Sequence, residues 1–160
     1  MAHEETDLEK LKKEYEKLSK KYKLPSFDDF DNEFEIRKID PELCLPHELR
    51  RVINHRLQGF AEWFEPILNP HSGSLHSLIE TKIFEKQELE PLFLLYKKMW
   101  SFVHEGLHAS LQSEEKEIEF IKKVWKEWPA IKKEIAGHVG RLAEGWKKHE
   151  KEKAGDSYLG

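Results

Sequence analysis

The chain has 160 residues and a net charge of −4, and 36% of its residues are charged while 38% are hydrophobic. A chain of this length is expected to form one domain, and its content of Trp, Phe and Leu excludes an intrinsically disordered protein. The single Cys excludes an intrachain disulfide, and the dominance of Lys and Glu resembles a thermophile's composition. No apolar run approaches the roughly 18 residues that span a bilayer, and the acidic N-terminus is unlike a signal peptide. We therefore expect a cytoplasmic protein.

Basic and acidic residues are unevenly distributed along the chain. Residues 8–23 carry seven Lys against three Glu, and residues 131–153 carry seven basic residues against four Glu. Residues 27–48 carry eight acidic residues against two basic ones. Such a layout can steer association with a charged partner, although solvated helix faces give the same pattern. The lysines chosen as docking candidates are Lys12, Lys13, Lys20, Lys21, Lys147 and Lys148.

The first predicted helix covers residues 7–23, with Asp7 as its N-cap. Its apolar residues recur in steps of three and four, which places them on one helical face. These residues are Leu8, Leu11, Tyr15, Leu18 and Tyr22. Because the apolar stripe is thin, the helix must pack on another surface to be stable, and residues 1–24 are expected at a dimer interface. Ser26 is expected to cap a short helical turn at residues 27–31.

The middle of the chain is predicted as an irregular stretch followed by three helices. Residues 32–45 alternate too briefly for a sheet, and Pro46 then opens a helix at 46–68. Arg50 is expected on the polar side of this helix, opposite its apolar face. Ser74 is expected to cap the next helix. The two helices that follow the loop at 69–74 are predicted at residues 75–84 and 86–111.

Residues 113–146 carry the most regular pattern in the chain, a heptad seam of apolar side chains on one helix. The seam residues are Ile118, Ile121, Trp125, Trp128, Ile135, Val139, Leu142 and Trp146. Pro129 lacks an N–H group and clashes with the preceding turn, so a kink or a break is expected after Trp128. A seam this aromatic needs a large partner surface, which either the rest of the chain or a second copy supplies.

These patterns predict an all-α helical bundle of about five or six helices, with a long heptad-patterned C-terminal helix. Residues 1–153 are expected to form a single helical domain, and residues 154–160 a frayed tail. We expect the heptad helix and the N-terminal helix to pair two copies in a homodimer. The residues expected at that interface are Leu8, Leu11, Tyr15, Leu18, Tyr22, Trp125, Trp128, Ile135, Val139, Leu142 and Trp146.

One motif has the residue types and spacing of a metal site: residues 104–108 read His-Glu-Gly-Leu-His. On a helix, His104 and His108 lie one turn apart on the same face, so both imidazoles can ligate one zinc ion. Glu105 would then act as general base on the metal-bound water, as in the zinc metallopeptidases that the motif resembles. A zinc-dependent hydrolase is therefore the alternative function.

A catalytic zinc site also requires a third protein ligand, and the candidates lack a recognised spacing. These candidates are His76, Glu115 and Glu119. Gly106 inside the motif costs about 1 kcal/mol in a helix, which close helix packing explains as well as catalysis does. Zinc peptidases bind their substrates along a sheet edge, and no sheet is predicted here.

A second possible metal site would combine histidines from facing helices of the bundle. A histidine on a mixed helix face is, however, more often a solvated or hydrogen-bonded side chain. The histidines concerned are His47, His55, His104 and His108. Cys44 lies between two leucines, which indicates a small buried hydrophobe rather than a nucleophile. The sequence contains no phosphate-cradling Gly-rich loop, paired Cys motif or nucleophile elbow. We expect no resident metal or cofactor, no small-molecule substrate, and a non-enzymatic protein that works by binding others.

Several segments resemble a group of small archaeal helical proteins. They are KYKLPSFDDFDNEFEI at residues 21–36, ILNP at 67–70, LLYKKM at 94–99 and EFIKKVWKEWPAIKKEI at 119–135. The chain is also similar to archaeal ribosome-hibernation or small-subunit dimerisation factors. That resemblance implies a cytosolic homodimer that docks on ribosomal protein and RNA without catalysis, and it carries over no catalytic residue.

Overall fold

The computed structural model describes residues 4–70 and 74–152, and within them the chain forms six α-helices and one short 3-10 helix, without a β-strand. This confirms the predicted all-α helical bundle. The elements are α1 (Asp7–Tyr22), α2 (Phe27–Phe34), the 3-10 helix (Ile36–Lys38), α3 (Leu45–Leu68), α4 (Leu75–Ile83), α5 (Lys86–Ser110) and α6 (Glu114–Glu150). None of these helices is long and apolar enough to cross a membrane. The tail predicted at 154–160 lies outside the described residues.

Side-chain caps fix where several of the helices begin. Thr6, rather than the predicted Asp7, is the N-cap of α1, because its hydroxyl accepts a hydrogen bond from Glu9 N at 3.3 Å. The Glu9 carboxylate in turn accepts a hydrogen bond from Thr6 N at 2.9 Å, so two backbone donors are satisfied together. Asp7 becomes the first helical residue, where its charge is favourable near the positive end of the helix dipole. The caps predicted at Ser26 and Ser74 are confirmed.

The long C-terminal helix α6 is continuous from Glu114 to Glu150, so the break predicted after Trp128 does not occur. Pro129 removes one hydrogen-bond donor and costs about 3 kcal/mol in a helix interior. Val124, Trp128 and Ile131 are buried on either side of this proline, and their packing offsets the loss. A bend at Pro129 without a break stays a prediction.

The chain divides into two compact units. The first contains the described residues among 1–58 and 101–127, and the second contains those among 59–100 and 128–152. The single domain predicted for residues 1–153 stays a prediction.

An aromatic cluster forms the core of the first unit, between α1, α2 and α6. Phe30 is fully buried and stacks on Trp125, with ring centroids 5.3 Å apart and an interplanar angle of 11°. Tyr15 is also buried, and its hydroxyl donates a hydrogen bond to the carbonyl of Pro25 at 2.8 Å. Tyr15 and Leu11 are buried inside the chain, so residues of the same copy cover the middle of the apolar face of α1.

The end of α2 is fixed by an ion pair between Asp31 and Arg37. Asp31 is buried, and its carboxylate accepts hydrogen bonds from Arg37 N at 2.9 Å and from Arg37 Nε at 2.7 Å. Burial raises the pKa of Asp31, but the hydrogen bonds from Arg37 outweigh it and hold the pKa below its ordinary value. The pair therefore stabilises the fold above the ordinary carboxyl pKa, and this contribution is lost as pH falls through the lowered pKa.

In the second unit, α4 is attached to α6 by polar contacts. Trp146 Nε1 donates a hydrogen bond to the buried Glu80 carboxylate at 3.1 Å. Arg141 donates to the carbonyl of Ile83 at 2.7 Å and to the Glu88 carboxylate at 2.9 Å. The backbone N–H of Glu85 and the Arg141 guanidinium lower the pKa of Glu88. These contacts join α4, through Glu80 and Ile83, and the first turn of α5, through Glu88, to α6.

His138 lies beside two aromatic rings in the second unit. Its ring centroid is 6.0 Å from that of Phe64 and 6.3 Å from that of Phe84. Burial lowers the pKa of His138, although the negative charges of Glu134 and Glu88 act to raise it. Burial therefore favours the neutral form of this imidazole.

Candidate functional site

The His-Glu-Gly-Leu-His motif lies near the C-terminal end of α5, where His104, Leu107 and His108 are exposed. Because an α-helix turns about 100° per residue, Glu105 projects from a different side of the helix. Its carboxylate accepts hydrogen bonds from Lys123 Nζ of α6 at 2.9 and 3.0 Å. The glutamate expected to act as general base is thus paired with a lysine of α6.

Gly106, inside the motif, is buried where α5 packs against α3 and α6. A Cβ atom at this position would lie 2.5 Å from Asn54 Oδ1 and 2.8 Å from Phe120 Cζ. Asn54 is itself buried, and its Nδ2 donates a hydrogen bond to the carbonyl of Val103 at 3.1 Å. Close packing of the helices therefore explains the glycine without any role in catalysis.

Replacing Gly106 with Ala should lower the free energy of unfolding by about 1–3 kcal/mol, because the added methyl group overpacks the site. Gly59→Ala in α3 is the matched control. A Cβ at Gly59 would have nothing within 4 Å, so that substitution should raise the free energy of unfolding by about 0.4–1 kcal/mol. Urea unfolding of both variants measures the two changes. Equal effects would contradict the packing role of Gly106.

The described residues contain no group of three or more His, Cys, Asp or Glu side chains placed to hold a metal ion. Two of the predicted third ligands have partners of their own. His76 Nε2 lies 3.3 Å from the buried carboxylate of Glu80, and Glu119 lies 3.0 Å from a lysine ammonium group. Glu115 is exposed in the first turn of α6. Among the residues described, the motif therefore supplies two zinc ligands from one chain and no third.

The predicted four-histidine site is likewise not assembled within the described part of the chain. His47 belongs instead to a polar cluster, since its Nδ1 lies 3.2 Å from Glu117 Oε2 and its Nε2 lies 3.3 Å from Arg50 Nη2. Arg50 Nε donates a hydrogen bond to the same Glu117 oxygen at 3.1 Å. His55 is exposed on α3.

Arg50 and Glu117 form a buried ion pair that was not predicted. They are only 5% and 6% exposed, so the expectation that Arg50 lies on the polar side of α3 is wrong. Helical periodicity distinguishes an apolar face from a polar one, but it does not show that a carboxylate from another helix covers an arginine.

The residues predicted for a dimer interface are mostly covered by the chain itself. The buried ones are Leu11, Tyr15, Trp128, Ile135 and Leu142. The half-buried ones are Leu18, Tyr22, Trp125, Val139 and Trp146, while Leu8 is exposed. One chain therefore supplies much of the partner surface that the seam requires, and the pairing of two copies along it stays a prediction.

All six lysines chosen for docking are exposed: Lys12, Lys13, Lys20, Lys21, Lys147 and Lys148. Cys44 is also exposed, so the prediction that it is buried was wrong. The helix α3 begins only at Leu45, so Cys44 lies directly before it, next to the exposed Leu43.

A groove of about 510 Å³ lies between the C-terminal end of α3 and the N-terminal half of α5. Its lining residues are Glu65, Leu68, Asn69, Leu89, Glu90, Phe93 and Tyr96. Phe93 is 46% exposed and the adjacent Leu94 is 55% exposed. The rings of Phe93 and Tyr96 stack with centroids 6.3 Å apart, and Lys97 Nζ lies 4.7 Å from the centroid of the Phe93 ring.

The sequence contains a signal for this exposed surface that was missed. Four large apolar residues follow one another at 92–95, and a helix cannot direct four consecutive side chains into one core. Leu92 and Leu95 are buried, which leaves Phe93 and Leu94 in solvent.

Comparisons of the chain with protein-family models, curated proteins and solved structures found no match.

Proposed function

We propose that this chain is a non-enzymatic cytoplasmic interaction protein that forms a homodimer and docks on the ribosome. The observation that carries the proposal is the apolar surface at the groove between α3 and α5, which we call the groove surface. It consists of the apolar lining residues Leu68, Leu89, Phe93 and Tyr96, and the exposed Leu94 follows Phe93 in the chain. In a chain with 36% charged residues, adjacent exposed aromatic and aliphatic side chains favour a surface that binds a protein.

The groove surface suits a protein partner in its geometry. The ring of Phe93 contacts the ring of Tyr96 and the ammonium group of Lys97, and contacts of this kind reduce the freedom that the side chain loses when a partner covers it. Aromatic side chains, Phe included, are enriched at the cores of protein interfaces. Glu65 and Glu90 line the groove beside the apolar residues and would attract basic residues of the partner, such as those of ribosomal proteins.

The exposed lysines support docking on an anionic surface such as ribosomal RNA. Lys12 and Lys20 are exposed on α1, and Lys21 Nζ lies 4.8 Å from the centroid of the Tyr22 ring. Lysine ammonium groups bind phosphates with release of counterions, so the affinity for RNA falls as salt rises.

Co-sedimentation with purified ribosomal subunits tests this proposal. We expect binding at about 50 mM salt that weakens steeply by about 200 mM. Replacing Lys12 and Lys20 with Gln should reduce the slope of log affinity against log salt by about 2, because each phosphate contact contributes about 1. The matched control replaces Lys122 and Lys126, which are exposed on α6, with Gln, and it should leave the slope unchanged.

The contribution of the groove surface is tested in the same assay with Phe93→Ser. This variant should weaken binding about tenfold or more without changing the salt slope, because it removes an apolar contact and no charge. Absence of co-sedimentation at low salt would remove the ribosome from the proposal. Binding that none of the substitutions in α1 or the groove changes would contradict both docking surfaces.

A further inference from the structure

The C-terminal end of α5 presents two histidines and two leucines on its exposed side. His104 and His108 are exposed, Leu107 is 47% exposed, and Leu111, just beyond the helix, is 85% exposed. Side chains four residues apart on a helix have Cβ atoms about 5–6 Å apart, which allows both imidazoles to ligate one ion. Leu107 and Leu111 are four residues apart, as His104 and His108 are, so the two leucines and the two histidines share one side of the helix end.

One chain leaves this pair of ligands incomplete. Zinc binds four ligands in a tetrahedral arrangement, and structural sites fill all four positions with protein side chains. The described residues bring no third His, Cys, Asp or Glu to the pair. Glu105, the acidic residue of the motif, is committed to Lys123 on α6 at 2.9 and 3.0 Å.

We propose that His104 and His108 of two copies bind one bridging zinc ion and so form a symmetric interface between two α5 helices. A twofold axis places the same surface opposite itself, so the second copy supplies the two missing imidazoles. Leu107 and Leu111 of both copies then pack around the metal and are removed from water. The inference rests on the proposed homodimer and assigns it a metal and an interface other than the heptad seam.

The charges at this face favour a second copy as the occupant. A surface pairs with itself only if it carries no strong like charge, because like charges meet across a twofold axis. The face contributes two histidines and two leucines, and the acidic residue beside them, Glu105, is paired with Lys123. The motif therefore serves as half of a structural site, with its glutamate outside the coordination sphere.

The test is sedimentation equilibrium of the tag-free, metal-free chain with and without added zinc chloride. We expect the mass to double with zinc, saturation at about half a zinc per chain, and return to the monomer with EDTA. His104→Ala and His108→Ala should each abolish the response to zinc. His55→Ala, at another exposed histidine, should leave it intact. Leu111→Glu should keep the fold and weaken the zinc-induced dimer at least tenfold.

Three results would overturn the inference. Saturation at one zinc per chain without a change in mass would indicate a site within one copy. A dimer that is equally stable in EDTA would support the proposed homodimer and show that no zinc ion bridges its two copies. A chain that stays monomeric at every zinc concentration would count against both the bridging site and the proposed homodimer.

Discussion

Glu117→Ala is expected to lower the free energy of unfolding by about 3–5 kcal/mol, because it leaves the Arg50 guanidinium buried without a carboxylate. Arg50 is only 5% exposed, and its Nε lies 3.1 Å from Glu117 Oε2. Urea unfolding at neutral pH measures the loss. Glu119→Ala on the same helix is the matched control, since Glu119 is exposed and its ion pair with Lys116 should contribute less than about 1 kcal/mol.

A double substitution separates the cost of an unpaired charge from the value of the pair. Arg50→Met combined with Glu117→Leu removes both charges and keeps an apolar volume at the site, so it should restore most of the stability lost in Glu117→Ala. If Glu117→Ala lowers the free energy of unfolding no more than Glu119→Ala does, the Arg50–Glu117 pair is not buried away from water. The contact described between α3 and α6 would then be wrong.

Phe30→Ala is the second substitution with a large expected effect, and it should lower the free energy of unfolding by about 3–5 kcal/mol. Phe30 has no exposed surface, and its ring stacks on Trp125 at 5.3 Å and contacts Phe34 at 5.2 Å between centroids. Removing the ring opens a cavity where α2 meets α6. Denaturant unfolding, followed by the fluorescence of the tryptophans, measures the change.

The control for Phe30→Ala is the same substitution at Phe93, which is 46% exposed. Phe93→Ala creates no cavity and should change the free energy of unfolding by less than about 1 kcal/mol. Similar losses at the two positions would contradict the burial of Phe30, and a large loss at Phe93 alone would show that the groove surface belongs to the core.

Local sequence signals predicted the helices well, because they act within a few residues. The steps of three and four in α1 and α6, together with Ser26 and Ser74 as caps, indicate helices whatever the rest of the chain does. At α1 only Asp7 was predicted as the cap, whereas Glu9, three residues after Thr6, makes Thr6 the cap through a reciprocal hydrogen bond.

The features that were missed depend on what lies opposite a given side chain. The periodicity of α1 and α6 shows which faces are apolar, but the same pattern fits a partner helix from either the same or another copy. Tyr15 and Leu142 are in fact buried within one chain. Arg50 could not be placed, because its burial depends on a carboxylate 67 residues away in sequence. The break expected at Pro129 also failed, since buried neighbours on both sides stabilise the helix.

The histidine motif shows that the role of a local sequence pattern depends on the residues packed around it. Its spacing places two zinc ligands on one face, and that part follows from helix geometry alone. The pairing of Glu105 with Lys123 and the packing of Gly106 against Asn54 depend on α3 and α6, so the sequence alone could not separate a catalytic centre from a helix contact.

The proposal that this chain works as a homodimer is tested most directly by its mass in solution. Native mass spectrometry of the tag-free protein, prepared without chelator, counts chains and bound ions together. The proposal predicts a species of two 19.1-kDa chains, and the inferred interface adds one zinc ion to it. A single 19.1-kDa chain at every protein concentration would contradict the homodimer.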